Sequence, residues 1–271
     1  MIFTILGASG FIGRHLAAAL RSEGHFVYAP TRDDSDVWRR QLGHVIYCIG
    51  LTADFRSRSF DTVRAHVSVL ADVLERTQFE SFVYLSSTRV YGKNADGSEE
   101  APLIVDVIDP SDFYNLTKLT GESLCLSSGI SGVKVARLSN VVGQDPYSDN
   151  FLSVLIREAL QKRIVLQSHP ASSKDYILLN DVVEILPRIA VGGCERLYNV
   201  ASGVSISHRE IVEQLTAITG CEKVLDDSKP LHHFPSIDIG RIRRDFNFTP
   251  RSVLDALPGI VHTARLESSI L

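Results

Sequence analysis

The chain opens Ile2-Phe3-Thr4-Ile5-Leu6-Gly7-Ala8-Ser9-Gly10-Phe11-Ile12-Gly13, a short apolar run followed by three glycines at three-residue spacing. Ile12, Leu16 and Leu20 then recur every fourth residue until Gly24. The pattern reads as strand, tight turn and helix. Glycines there let the backbone turn sharply and approach a pyrophosphate closely, while the helix N-terminus offers unpaired N–H groups and partial positive charge. The turn makes Gly7, Ser9, Gly10, Phe11, Ile12 and Gly13 candidates for binding a dinucleotide. Taken alone, the same glycines also suit a plain packing turn.

Working outward, strand and helix keep alternating. Phe26 to Ala29 and Val45 to Ile49 read as buried strands, with a helical stretch around Val37, Trp38 and Leu42 between them. Phe60, Val63, Val67, Leu70 and Leu74 form a helical stripe. Phe82 to Leu85 follows as a strand, then a helix from about Tyr114 to Leu126 and a strand from Val133 to Leu138. This predicts an α/β, Rossmann-like, doubly wound parallel sheet. Only 15 residues, Pro30 to His44, separate the second and third strands, so the sheet is expected to be one strand-helix unit short.

After Gly143 the pattern loosens. A helix around Phe151 to Leu160, a strand at Tyr176 to Leu179, a helix from Asp181 and a strand at Leu197 to Val200 suggest a smaller C-terminal α/β lobe. Ser207 and Glu210 form a capping box for a helix closed by Gly220. The expected division is 1-143 for the dinucleotide-binding domain and 144-271 for a substrate lobe, with segment 174-192 packing back on the first.

The 271 residues include 28 Lys plus Arg against 32 Asp plus Glu, a net charge of −4, so no summed field would gather nucleic acid or an anionic membrane. Cys48, Cys125, Cys194 and Cys221 show no metal-ligand or disulfide spacing. The N-terminus lacks the segments of a secretion signal, and no apolar run approaches the ~20 residues that cross a bilayer. These features predict a cytoplasmic protein. His232 and His233, near Asp226 and Asp227, do not make a metal site, because adjacent histidines point apart, and no metal is expected.

The turn after the second strand reads Pro30-Thr31-Arg32-Asp33-Asp34. If the strand ends near Pro30, Thr31 takes the place where a carboxylate would bind the ribose of NAD, and Arg32 can bond the 2′-phosphate of NADP. That favours NADP. A shift of about two residues would put Asp33 there and leave NAD as the alternative. Tyr114 and Lys118 stand at i and i+4 on one helix face, and Ser86-Ser87-Thr88 follows a strand at the edge where parallel sheets bind ligands.

With GASGFIG at Gly7, FVYLSSTRVYG from Phe82, YNLTK from Tyr114, RLSNVVG from Arg137, KDYILLNDVV from Lys174 and YNVASGVSISHREI from Tyr198, the sequence resembles the extended short-chain dehydrogenase/reductase family. Its NAD(P)-dependent nucleotide-sugar epimerase, dehydratase and reductase branch is the nearest likeness. The resemblance implies Ser87 as the catalytic Ser/Thr, Tyr114 as acid/base, and Lys118 on the nicotinamide ribose. It also implies Asn140 and Lys174 near the substrate's diphosphate, with Thr88 beside the sugar. Family likeness further implies a homodimer built on the helices carrying Val67 and Tyr114.

Dehydratases of this branch carry an acidic pair directly after the catalytic Ser/Thr. Here the pair is Thr88-Arg89, which disfavours 4,6-dehydration; Glu99 and Glu100 read as solvated loop charges. His66 replaces a common asparagine and reads as a packing histidine. The expected activity is therefore hydride transfer at a sugar carbinol or ketone, C4 foremost, in an epimerase or a keto-sugar reductase. The alternative is a dinucleotide-binding regulator without chemistry, which the Tyr-Lys pair disfavours.

Overall fold

The computed structural model describes residues 1–52, 54–143 and 150–268. Its strands are β1 (Ile2–Leu6), β2 (Phe26–Tyr28), β3 (His44–Tyr47), β4 (Ser81–Ser87), β5 (Val133–Leu138), β6 (Asn140–Val142), β7 (Arg163–Val165), β8 (Ser173–Leu178), β9 (Leu197–Val200), β10 (Ser205–Ser207) and β11 (Glu222–Val224). The helices are α1 (Phe11–Ser22), α2 (Ser59–Val63), α3 (Val69–Arg76), α4 (Asp112–Ser127), α5 (Phe151–Leu160), α6 (Leu179–Gly192), α7 (His208–Thr219), α8 (Gly240–Phe246) and α9 (Val253–Ser268). A π-helical segment, Arg64–Ser68, joins α2 to α3.

Six strands form one parallel sheet in the order β2-β1-β3-β4-β5-β9. Both faces of its centre are covered, so β5 is buried along its length, Lys134 and Arg137 included, and β4 is buried up to Ser87. β2 ends the sheet. Between β2 and β3 lies only a four-residue 3-10 turn, Ser35–Trp38, in place of the longer helical stretch expected around Val37. The sheet is thus one unit short on that side, a Rossmann-like α/β fold.

The strand at Leu197–Val200, placed in the second lobe from the sequence, lies instead at the far edge of the main sheet beside β5. Its neighbours in sequence misled that reading, because a parallel partner is remote in the chain and leaves no local mark. α6 packs against α1 and β3. The chain after residue 143 therefore contributes both to the sheet and to a separate small core, in which Leu152, Leu155, Ile164, Val212, Leu215 and Leu257 meet. Residues 144–149 and 269–271, which open and close the expected substrate lobe, lie outside the described residues. α7 carries the Ser207–Glu210 capping box and ends at Gly220 in the left-handed conformation.

Buried charges tie these parts together. Arg137 on β5 meets Glu122 on α4 through two near-parallel bonds, Nε to Oε1 at 3.0 Å and Nη2 to Oε2 at 2.6 Å. Its other nitrogen donates to the Tyr91 hydroxyl at 2.6 Å, which donates to Asn199 Oδ1 on β9 at 2.9 Å. Asn199 then donates to the carbonyls of Gly97 and Asp238, each at 2.9 Å.

Candidate active site

In this strand order the chain leaves β1 to one side for β2 and returns to the other for β3. Ligands of open parallel sheets bind at the carboxyl ends of strands where the order reverses in this way. A cavity of about 780 Å³ lies there. Gly10, Phe11 and Ile12 form its wall after β1, Cys48 to Gly50 after β3, Ser87 and Thr88 after β4, and Ser139 and Asn140 after β5. α4 supplies Tyr114 and Lys118, and β8 supplies Lys174.

The glycine turn is built as its spacing predicts. Gly7 has φ +85°, and a Cβ there would lie 2.9 Å from the carbonyl carbon of Cys48. A Cβ on Gly13 would meet the Gly7 oxygen at 2.4 Å, so only glycine lets α1 seat this closely on β1. Gly10 is the N-cap of α1, with no side chain bonded to the first-turn N–H groups and no acid in that turn. Nearby Ser86 has a buried hydroxyl without a partner. An uncapped helix start, a tight glycine cradle and an orphaned hydroxyl in one cavity fit a dinucleotide.

The structure places the expected site residues in two groups. Gly10, Phe11, Ile12, Ser87, Thr88, Tyr114, Lys118, Asn140 and Lys174 line the one cavity. Gly7 and Gly13 support it from behind, and Ser9 is exposed at the entrance of α1. Thr31 and Arg32 are exposed and stand apart from the cavity wall. β2 ends at Tyr28, two residues before the end read from the sequence. The Tyr28 hydroxyl donates to Asp34 at 2.8 Å, and the Arg40 guanidinium lies 4.2 Å from the Tyr28 ring centre, a cation brought to this turn from twelve residues along the chain.

Tyr114 is 4% exposed and its ring touches Phe55 and His66, with centres 5.4 Å apart in both cases. Burial pushes its pKa up to about 12, and the Ser87 hydroxyl and the Arg89 guanidinium act in the opposite sense. Lys118 donates to the Leu85 carbonyl at 2.9 Å, and its nitrogen stands 6.0 Å from the Tyr114 ring centre. Burial lowers its pKa to about 7. The cation acting on Tyr114 in this arrangement is Arg89, while the Lys118 ammonium is bonded to the Leu85 carbonyl of β4.

His66 sits in the π-helical segment, a distortion frequent at functional sites. The Leu51 N–H donates to its Nε2 at 3.2 Å, so the ring proton is on Nδ1 and is given to Thr117 Oγ1 at 2.9 Å. Thr117 in turn donates to the Tyr114 carbonyl at 2.8 Å. Both ring nitrogens are partnered, and burial lowers the His66 pKa to about 3.

Unfolded histidine titrates near ~6.5 and so takes up a proton at a pH where the folded ring does not. Stability is then full above about pH 6.5 and falls as pH drops toward 3, by up to about 1.4 kcal/mol per unit. His66→Asn is expected to flatten this acid limb in chemical denaturation between pH 6.5 and 5, by about 2 kcal/mol at pH 5. An unchanged slope would show that His66 is not what the acid titrates.

Glu99 is buried and accepts from the Asn199 N–H at 2.9 Å, and Glu100 pairs with Arg241. Glu99 is thus a structural acceptor rather than a solvated loop charge, and neither acid lines the cavity. His232 lines it while the exposed His233 does not. Among the described residues no three His, Cys, Asp or Glu side chains converge to hold a metal. No helix of the described residues is long and apolar enough to cross a membrane.

The model of the NAD dependent epimerase/dehydratase family matches residues 3–201, and the chain belongs to that family. GDP-6-deoxy-D-mannose reductase of Pseudomonas aeruginosa is 30% identical over 246 residues, covering 80% of each protein. A dTDP-glucose 4,6-dehydratase of Streptomyces griseus is 26% identical over 72% of this chain and 60% of its own. Among solved structures, RMD from Pseudomonas aeruginosa complexed with NADPH superposes with a TM-score of 0.82 at 24% identity, over 98% of this chain and 100% of that one. MoeE5 in complex with UDP-glucose and NAD also gives 0.82, at 21% identity over 98% and 99%. These structural likenesses establish the fold. The family and its members place the protein among nucleotide-sugar epimerases, reductases and dehydratases that use NAD or NADP.

Proposed function

We propose that the protein is a nucleotide-sugar oxidoreductase of the epimerase or keto-sugar reductase type, exchanging a hydride at a sugar carbon, C4 foremost. The observation that carries this reading is that the glycine turn shares one cavity with Ser87, Tyr114 and Lys118. A dinucleotide bound here would supply the hydride or take it up. Gly10, Phe11 and Ile12 hold its pyrophosphate against the start of α1, and Lys118 binds its ribose. Ser87 hydrogen-bonds the reacting sugar oxygen, and Tyr114 gives that oxygen a proton or removes one. Asn140 and Lys174 take the diphosphate, Thr88 contacts the sugar, and no metal takes part.

Moving the Tyr114 proton near neutral pH needs its pKa brought down from about 12, a change of roughly 7 kcal/mol between its two forms. Arg89, Ser87 and the positive ring of an oxidised cofactor all act in that direction. Dehydration is disfavoured because Thr88 and Arg89 offer no carboxyl group, and Glu99 and Glu100 are engaged elsewhere.

NADP is the proposed cofactor, NAD the alternative: β2 ends at Tyr28 rather than Pro30, and the cations available near the 2′-phosphate are the exposed Arg32 and Arg40, the latter at the Tyr28 ring. Mass spectrometry of the dinucleotide released on denaturation tests this: NADP is the expected species, and Arg32→Glu should weaken NADPH binding roughly tenfold. Unchanged NADPH affinity would remove Arg32 from the site. A homodimer is part of the proposal, supported by Phe60, 78% exposed on α2, and by the exposed Val63 next to it; a monomer in solution scattering would contradict it. The protein is proposed to work in the cytoplasm, on a small-molecule substrate and without nucleic acid or membrane.

A further inference from the structure

Arg89 follows Ser87 by two residues, in the 3-10 turn Thr88–Tyr91 that ends β4. Its guanidinium carbon lies 5.5 Å from the Tyr114 ring centre and 5.1 Å from that of Phe55, and the side chain lines the cavity. It is half-buried, and burial, with Arg56 nearby, pushes its pKa below the usual arginine value. Among the described residues its guanidinium bonds a neutral group, the Ser111 carbonyl at 3.3 Å.

No carboxylate of the described residues lies within ion-pair distance of Arg89. The two acids on the same wall, Asp109 and Asp112, are held by Lys93 at 3.0 and 2.7 Å. Asp112 and Asp109 act on Arg89 only through space, and a half-buried guanidinium with no carboxylate of the described residues bonded to it is relieved by a bound anion. Arginine presents a planar fork that matches a carboxylate. Two further polar atoms of the cavity, Asn115 Oδ1 and the Tyr176 hydroxyl, are buried without partners, ready for the hydroxyls of a sugar ring.

Arg89 acts on Lys174 as a like charge, so two neighbouring cations face the cavity; with the diphosphate proposed on Lys174 and Asn140, Arg89 beside Tyr114 is left for a second anion. Tyr114 and Ser87 are the groups proposed to meet the reacting carbon, and Arg89, 5.5 Å from the Tyr114 ring centre in the same cavity, stands on the side of a neighbouring ring substituent. We propose that Arg89 binds a carboxylate carried by the sugar next to the reacting carbon, so that the substrate is a nucleotide-linked uronic acid. This rests on the nucleotide-sugar reading given above.

The test is titration calorimetry of the dinucleotide-loaded protein with matched pairs, UDP-glucuronic acid against UDP-glucose and GDP-mannuronic acid against GDP-mannose. In at least one pair the acid should bind roughly 10- to 100-fold more tightly than the neutral sugar. Arg89→Gln should erase that preference while leaving the neutral partner within about twofold, and Arg89→Lys, which keeps the charge, should retain part of it. Two results overturn the proposal: neutral and acidic sugars binding alike, or Arg89→Gln weakening both members of a pair equally. The second would assign Arg89 to the diphosphate or to Tyr114 alone. Failure of all four nucleotide sugars to bind would instead overturn the nucleotide-sugar reading beneath it.

Discussion

Tyr114→Phe is expected to lower turnover by roughly three orders of magnitude while dinucleotide affinity stays within about twofold. The substitution removes only the hydroxyl. The ring keeps its contacts with Phe55 and His66, and the backbone carbonyl still accepts from Thr117. Stability should therefore move by no more than about 1 kcal/mol. The pH dependence carries a sign as well. Because burial holds the Tyr114 pKa near 12, the direction that needs the phenolate, alcohol oxidation, should speed up as pH rises. The direction that needs the phenol, ketone reduction, should be insensitive until pH approaches the pKa of the loaded enzyme. Initial rates of both directions between pH 6 and 10, for wild type and variant, check this; near-normal turnover in the variant would remove Tyr114 from the chemistry.

The second large effect concerns folding. Glu122 and Arg137 are 2% and 4% exposed and form a two-point ion pair. Glu122→Ala leaves a guanidinium buried without its counter-charge, which should cost about 3–5 kcal/mol. For a chain of this size the thermal midpoint should fall by roughly 6–15 °C. Replacing both residues with apolar ones, Glu122→Leu with Arg137→Met, should recover much of that loss, because no charge is then stranded. Differential scanning calorimetry of the two variants decides the matter. Equal midpoints for wild type and Glu122→Ala would show that the pair is solvated or replaceable.

Residues of opposite kinds decided what the sequence disclosed. Gly7, Gly10 and Gly13 were readable because their spacing answers to backbone sterics, which act locally. The alternation of apolar runs and four-residue stripes disclosed the sheet and its missing unit for the same reason. Tyr114 and Lys118 were readable as one turn of one helix, and Ser87 as a residue at a strand end.

What stayed hidden depends on partners remote in the chain. β9 looks like any four-residue apolar run, and only its pairing with β5 places it in the main sheet. β7, β10 and β11 are three residues long, too short to show a period. In α9, Val253, Leu257 and Val261 are buried at four-residue spacing, but Pro258 sits among them and reads as a helix breaker. The pairing of Glu122 with Arg137 joins a helix to a strand and obeys no local pattern. Arg89 was noticed for what it lacks, a carboxyl group, and its nearness to Tyr114 became visible only when β4, its terminal turn and α4 were placed together.

The most direct test of the account is a single turnover followed at 340 nm. Protein loaded with oxidised dinucleotide is mixed with nucleotide sugars, and reduced protein with their keto forms. Wild type should give an absorbance change, rising with oxidation and falling with reduction, and Tyr114→Phe should lose it although the dinucleotide remains bound. A protein that holds no dinucleotide, or one whose absorbance is unchanged with every nucleotide sugar, would contradict it.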